Sequence, residues 1–190
     1  MGKIVGLGLL GFLLLAAPLK AEVWISASSP TAFVYSATPS SLYQFDQSSS
    51  VPAQGWAFLA KIPLLPAVGM SQFTLNVPPL QSVSTEYNRF TTTSYDVGLD
   101  FSGKSATFLL GYGVGKTEFT CTQTDCAGLS FKPLELHQYF VQLGVPFGSG
   151  SDFHFDLRRL IGRVQIDNGT LTETLHLQGV LAAFGLRLGF

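Results

Sequence analysis

The sequence predicts an all-β protein, an eight-stranded antiparallel up-and-down barrel, and three observations carry that prediction. Apolar residues recur at every second position through eight segments, the period of a strand with one buried and one contrasting face. The connections between those segments alternate between tight turns and long polar loops, as a barrel with one short rim and one long rim requires. Only 12% of the 190 residues are charged, about half the share of an ordinary soluble domain. Aromatic content of 13% and a net charge of −1 exclude disorder, and without a Lys/Arg cluster there is no field to attract nucleic acid.

Each segment can be read in order. Val23 to Tyr35 presents Val23, Ile25, Ala27, Phe33 and Tyr35 on one face, with Pro30 at an edge or bulge. Trp56, Phe58, Ala60, Ile62 and Leu64 then oppose Ala57, Leu59, Lys61 and Pro63. Phe73, Leu75 and Val77 face away from Gln72, Thr74 and Asn76, and Tyr95, Val97, Leu99 and Phe101 face away from Asp96, Gly98 and Asp100. Phe108, Leu110, Tyr112 and Val114 oppose Leu109, Gly111 and Gly113, and Tyr139, Val141, Leu143 and Val145 oppose Phe140, Gln142 and Gly144. The seventh segment, Asp152 to Asp167, starts with Phe153, Phe155 and Leu157 on the apolar side. A β-bulge at Arg158-Arg159 keeps Leu160, Val164 and Ile166 on that side and turns Arg159 and Arg163 inward. The eighth alternates Val180, Ala182, Phe184, Leu186, Leu188 and Phe190 with Leu181, Ala183, Gly185, Arg187 and Gly189.

The turns are Leu65–Val68, Ser102–Ser105 and Phe147–Ser151, and the long loops are 36–54, 78–89 and 121–131. Asn168-Gly169 is a hairpin turn, a better reading than a glycosylation acceptor. Gly111 to Lys116 lacks the spacing of a phosphate loop and lies within a strand.

Residues 1–21 read as a signal peptide and 22–190 as the barrel. Lys3 precedes an apolar run from Ile4 to Ala17, too short to cross a bilayer as a helix. Cleavage is placed after Ala21, with Ala17 the alternative. Export to an oxidising compartment makes Cys121 and Cys126 a small loop disulfide, with two reduced thiols or a metal site as the other readings. Two thiolates are fewer than a structural zinc needs.

Alternation alone leaves open whether the apolar face looks inward or outward, and the opposite face decides. It carries Lys61, Gln72, Thr74, Asn76, Asp96, Gln138, Gln142, His154, Asp156, Arg158 and Arg187 among many glycines. The narrow lumen of an eight-stranded barrel wants such small residues and a few paired charges. The predicted lumen network is Lys61, Arg158 and Arg187 against Asp96, Asp156 and Glu173. The apolar face then meets lipid, with Trp56, Phe101, Phe147, Phe153 and Phe190 as girdle residues, and the fold is a transmembrane β-barrel.

The last residues support this. Phe190, with Leu188 two before it and Gly185 five before it, resembles the terminal strand of Gram-negative outer-membrane proteins. Ala183 departs from that pattern, which has a polar residue there. By architecture the chain resembles small eight-stranded barrels of the OmpA-transmembrane, OmpX and OmpW type. The resemblance implies insertion through the barrel assembly machinery, using Gly185, Leu188 and Phe190, and a location in the bacterial outer membrane with outer-membrane lipid and lipopolysaccharide as partners.

The expected function is non-enzymatic: a monomeric barrel that presents its long loops outside the cell, with no cofactor and no metal. One alternative is a porin-like narrow or lateral pathway for small apolar molecules, as the OmpW resemblance implies. Another is a lipid A-modifying enzyme, for which His176 with Thr174 and Glu173 is the best constellation. His137 and His154 are the other candidate bases, and His154 is placed with the lumen network.

Overall fold

A computed structural model describes residues 23–38, 40–43, 48–77, 88–103, 105–121, 126–147 and 150–190. The predicted signal peptide and most of loop 78–89 lie outside those residues. Nine strands are described: β1 (Trp24–Ala37), β2 (Ser48–Val51), β3 (Ala53–Lys61), β4 (Ala67–Val77), β5 (Asn88–Asp100), β6 (Thr107–Thr120), β7 (Ser130–Pro146), β8 (Asp152–Asp167) and β9 (Thr172–Gly189). β2 and β3 are two pieces of one stave, separated at Pro52, and both pair with β1. All pairings are antiparallel between chain neighbours, and β1 closes on β9. The result is a closed eight-stranded up-and-down barrel. Strands reach further into loop 36–54 than the sequence suggests, because β2 lies inside it.

The register fixes the tilt. Stepping from Val180 through Arg159, Tyr139, Tyr112, Val97, Val68, Ala60 and Ile25 returns to β9 at Leu188, a stagger of eight residues. Eight strands with a stagger of eight tilt by about 36°. Each step to the next stave therefore lowers a register partner by roughly one residue's rise.

That lattice places exposed Trp56, Tyr95 and Tyr139 at one height, with Tyr112 one residue below. Below this ring the outer wall is apolar, through Phe58, Val68, Val97, Leu99, Leu110, Leu143, Val145, Phe184, Leu186 and Leu188. Exposed Phe101, Phe147, Phe153 and Phe190 lie toward the short-turn rim. At about 3.3 Å per residue along tilted strands, the apolar band is roughly 20 to 25 Å tall.

Above the ring the polarity reverses. The outer wall there carries Gln54, Gln72, Thr74, Asn76, Thr91, Thr93, Lys116, Glu118, Gln165 and Gln178. The interior is a packed apolar core that includes Phe33, Tyr35, Phe73, Leu75, Val77, Phe90, Phe119, Leu160, Val164, Ile166, Leu175 and Leu177. Phe90 and Phe119 lie 4.6 Å apart between ring centroids.

This reversal corrects three expectations with one cause. On β4, Phe73, Leu75 and Val77 point into the barrel while Gln72, Thr74 and Asn76 point out. On β1, a bulge between Pro30 and Ala32 turns Phe33 and Tyr35 inward, so they do not share a face with Val23, Ile25 and Ala27. On β8 the expected bulge at Arg158-Arg159 is absent, since its pairing with β9 runs without a break. Leu160, Val164 and Ile166 consequently face in, and Arg159 and Arg163 face out. A bulge in this region does occur, but on β7 between Pro133 and Leu136. Above the apolar band the wall meets water on its outside, so apolar side chains are driven inward as in any soluble protein.

Substitutions on β4 and β7 test this assignment by urea unfolding in lipid vesicles. Gln72→Lys is expected to shift stability by less than about 0.5 kcal/mol, and Phe73→Ala to cost about 3–5 kcal/mol. Leu143→Arg, in the middle of the apolar band, is expected to cost about 2–4 kcal/mol.

Candidate functional site: the polar lumen

Within the height of the apolar band the interior is organised around two sets of ion pairs and one small apolar cluster. Arg158, on β8, has no exposed surface. Its Nη1 lies 2.7 Å from Asp96 Oδ2 on β5, and its Nε donates to Asp156 Oδ2 at 2.9 Å. Asp156 also accepts from Ser28 Oγ at 3.0 Å and from Gln142 Nε2 at 3.1 Å. Asp96 accepts from Ser94 Oγ at 2.9 Å and from Gln138 Nε2. Gln138 also donates to Ser71 Oγ at 3.0 Å. The guanidinium lies over the Phe140 ring at 4.4 Å and near that of Phe73 at 5.5 Å. Phe73 belongs to the apolar core above, whereas Phe140 belongs to a smaller buried apolar cluster with Trp24, Leu59, Ala67 and Leu109 on the short-turn side.

The second set lies nearer the short-turn rim. Lys61 Nζ reaches Asp100 Oδ2 at 3.0 Å, and Trp24 Nε1 donates to the same oxygen at 2.9 Å. Arg187 lies 3.5 Å from Asp100 Oδ1 and 3.3 Å from Asp152 Oδ2, with its guanidinium 4.2 Å above the Trp24 ring. His154 contacts Asp152 at 3.3 Å and Ser26 Oγ at 3.3 Å.

The glycines beside these groups provide the space. A Cβ on Gly113 would stand 2.3 Å from Asp96 Oδ1, and one on Gly111 would stand 2.0 Å from the Phe140 ring. Any side chain at either position would displace the ion-pair layer or the ring that covers it.

Of the predicted network, Lys61, Asp96, Asp156, Arg158 and Arg187 are in the lumen, but the pairing differs from a single cluster. Arg158 takes both Asp96 and Asp156, whereas Lys61 and Arg187 rely on Asp100 and Asp152, neither of which was in the expected set. Parity already put Asp100 with Asp96 and Asp152 with Asp156; which carboxylate meets which cation depended on stagger across the lumen. Glu173 is not part of the network. It lies at the long-loop rim beside the 168–171 turn, where Ser40 Oγ donates to it at 2.5 Å and Ser41 donates through its hydroxyl and its amide. Those hydrogen bonds, the Ser40 hydroxyl first, hold its carboxyl below the ordinary carboxylate range.

The histidines are dispersed. His176 and Thr174 lie on the outer face of β9, opposite to the side on which Glu173 meets the serines, so the expected constellation is not assembled. His137 is on the outer face of β7, its Nδ1 2.6 Å from the Tyr112 hydroxyl. Cys121 and Cys126 form the expected disulfide, packed against the edge of the apolar core. Gly185 faces inward beside His154, and Leu188 and Phe190 are exposed on the outer wall.

No protein-family model matches the chain, and no curated protein does. Solved structures do. The crystal structure of Neisserial surface protein A matches with a TM-score of 0.55 at 14% identity, covering 88% of this chain and 97% of that one. The fold is that of the small outer-membrane β-barrels. Outer membrane protein AlkL, solved by solid-state NMR in DMPC lipid bilayers, gives a TM-score of 0.55 at 10% identity over 92% of this chain and 93% of that one. The E. coli outer membrane protein W, solved by NMR in solution, gives 0.51 at 13% identity over 90% of this chain and 98% of that one. At these identities the likeness establishes the outer-membrane barrel fold and nothing narrower.

Removing Arg158 strands two buried carboxylates. Arg158→Met is expected to cost about 3–5 kcal/mol in urea unfolding, and the triple variant with Asp96→Asn and Asp156→Asn to recover most of it.

Glu173 predicts a pH effect at the rim. A depressed carboxyl contributes fully above the ordinary carboxylate range and loses its effect as pH falls through the depressed value. The protection of the Ser41 amide against hydrogen exchange, relative to its intrinsic rate at each pH, is expected to fall on acidification through that window, and Glu173→Ala to lack that protection at every pH.

Proposed function

We propose that this chain is an integral protein of the bacterial outer membrane, a sealed and non-enzymatic wall that carries its long loops outside the cell. The observation that carries this reading is the reversal of polarity at the aromatic ring: apolar outside and ionic inside below it, the opposite above. A closed barrel whose staves pair by backbone hydrogen bonds through the apolar band suits hydrocarbon, and the band of roughly 20 to 25 Å suits the thin outer membrane. The wall is plugged twice, by Arg158 with its carboxylates and by the apolar core. Such a wall favours a scaffold for loops over an ion-conducting pore, and loops on rigid scaffolds commonly carry recognition.

A second reading, a lateral pathway for small apolar molecules, is favoured by one feature. Pairing of β1 with β3 ends at Ser28–Ala57 and resumes with β2 only at Phe33–Val51. In the interval Pro30 and Pro52 lack an N–H, and Gly55 has φ +134°. This unladdered seam lies at the height of the ring, with the apolar core residues Phe33, Ala53 and Ala57 behind it.

One set of measurements separates these readings. In the outer-membrane reading, the protein fractionates with that membrane and migrates faster unheated than boiled on electrophoresis. In vesicles, the sealed wall passes neither ions nor a fluorescent apolar solute. Uptake of the apolar solute that stops when Thr31→Cys and Gln54→Cys are oxidised across the seam supports the lateral pathway. A soluble periplasmic protein would exclude both.

A further inference from the structure

The outer wall carries one feature that neither a scaffold nor a pathway uses. Arg159 is exposed on the outside of β8, one residue's rise above Tyr139, with Tyr139 and Val180 as its register partners. Among the described residues it makes no ion pair. Directly below it the wall is hydrocarbon: Leu157, Val141, Leu143, and the rings of Phe155 and Phe184 at 5.1 Å. Four residues further up β8, Arg163 also faces out. It pairs with Glu135 yet keeps its side chain 42% exposed.

Among the described residues, an outward arginine without an ion pair at the edge of the apolar band occurs in this sector alone. At matching heights the exposed residues of β1, β3 and β4 include Thr31, Val34, Gln54 and Gln72, and the outward residues of β5 are Thr93 and, four residues higher, Arg89. Lys116 on β6 is neutralised by Glu118 at 2.5 Å. An unpaired guanidinium at the edge of an apolar band is stable when an anion meets it there, and its planar fork suits phosphate in a bidentate manner. Above Arg159 the same sector carries Ile161 and the polar side chains of His137, Gln165, His176 and Gln178, over a height greater than a phospholipid headgroup. A sugar backbone could hydrogen-bond to them, while acyl chains lie against the strip below.

We propose that the outer wall of β7, β8 and β9 binds a phosphorylated, multiply acylated glycolipid of the outer leaflet, with Arg159 as the principal phosphate ligand and Arg163 as the second. This inference rests on the outer-membrane reading. Protein purified in non-ionic detergent is titrated with bisphosphorylated lipid A, and adducts are counted by native mass spectrometry. Dephosphorylated lipid A and phosphatidylglycerol serve as parallel arms. Charge-assisted hydrogen bonds of this kind give a preference of about tenfold or more for the phosphorylated glycolipid. The preference is expected to vanish in the Arg159→Gln/Arg163→Gln double variant, to persist in the Arg159→Lys/Arg163→Lys double variant, and to be unchanged in Lys116→Gln. Equal binding of phosphorylated and dephosphorylated lipid A by the wild type overturns the proposal without any variant. So does retention of the preference by the glutamine variant, and displacement by phosphatidylglycerol at equal concentration overturns the glycolipid assignment. Heat-dependent mobility and membrane fractionation of the wild type report separately whether the barrel resides in the outer membrane at all.

Discussion

A guanidinium with no exposed surface sits where the barrel changes character. Arg158 reaches from β8 across the lumen to Asp96 on β5 while holding Asp156 on its own strand. Serine and glutamine side chains from β1, β5 and β7 donate to these carboxylates, and Ser71 on β4 accepts from Gln138. An isolated charge in that position would be untenable by several kcal/mol, so the packing of five staves is tied to one side chain. The Phe73 ring, near the guanidinium, marks the level at which the interior passes into the large apolar core, while the Phe140 ring over it belongs to the smaller apolar cluster below.

That level coincides with the ring of Trp56, Tyr95 and Tyr139 on the outside, and the coincidence has a common cause. Below it the wall separates lipid from a lumen too narrow for bulk water, so apolar side chains face out and the charges must pair within. Above it the outside is wet, and the same chain obeys the ordinary rule of apolar inside and polar outside. A single strand such as β4 crosses from one regime to the other: Val68 points to lipid and Phe73 to the core. The change needs no bulge where the strand's odd positions suit both regimes, as on β4. On β1 it uses the irregularity at Pro30 and Ala32.

Much of this was legible in the sequence. Period-two alternation gave the strands, loop lengths gave the closure and its two rims, and parity placed Lys61, Asp96, Asp156, Arg158 and Arg187 on one face. The misplacement of Phe73, Phe33, Tyr35, Leu160, Val164 and Ile166 arose because alternation reports that two faces differ, not which solvent each one meets at a given height. Glu173 has the parity of the lumen residues, but parity does not reveal that it lies beyond the polar layer and within reach of Ser40 and Ser41.

By itself, then, the sequence determined a closed antiparallel barrel with a polar and an apolar face on each stave, because strand periodicity and turn chemistry are local properties. Only the tertiary structure decided the pairing of Arg158 with Asp96, the seating of Arg187 between Asp100 and Asp152, the height of the aromatic ring and the isolation of Arg159 beside an apolar strip. Those depend on the stagger of eight residues around the wall, and a stagger is a relation between strands that no single strand contains.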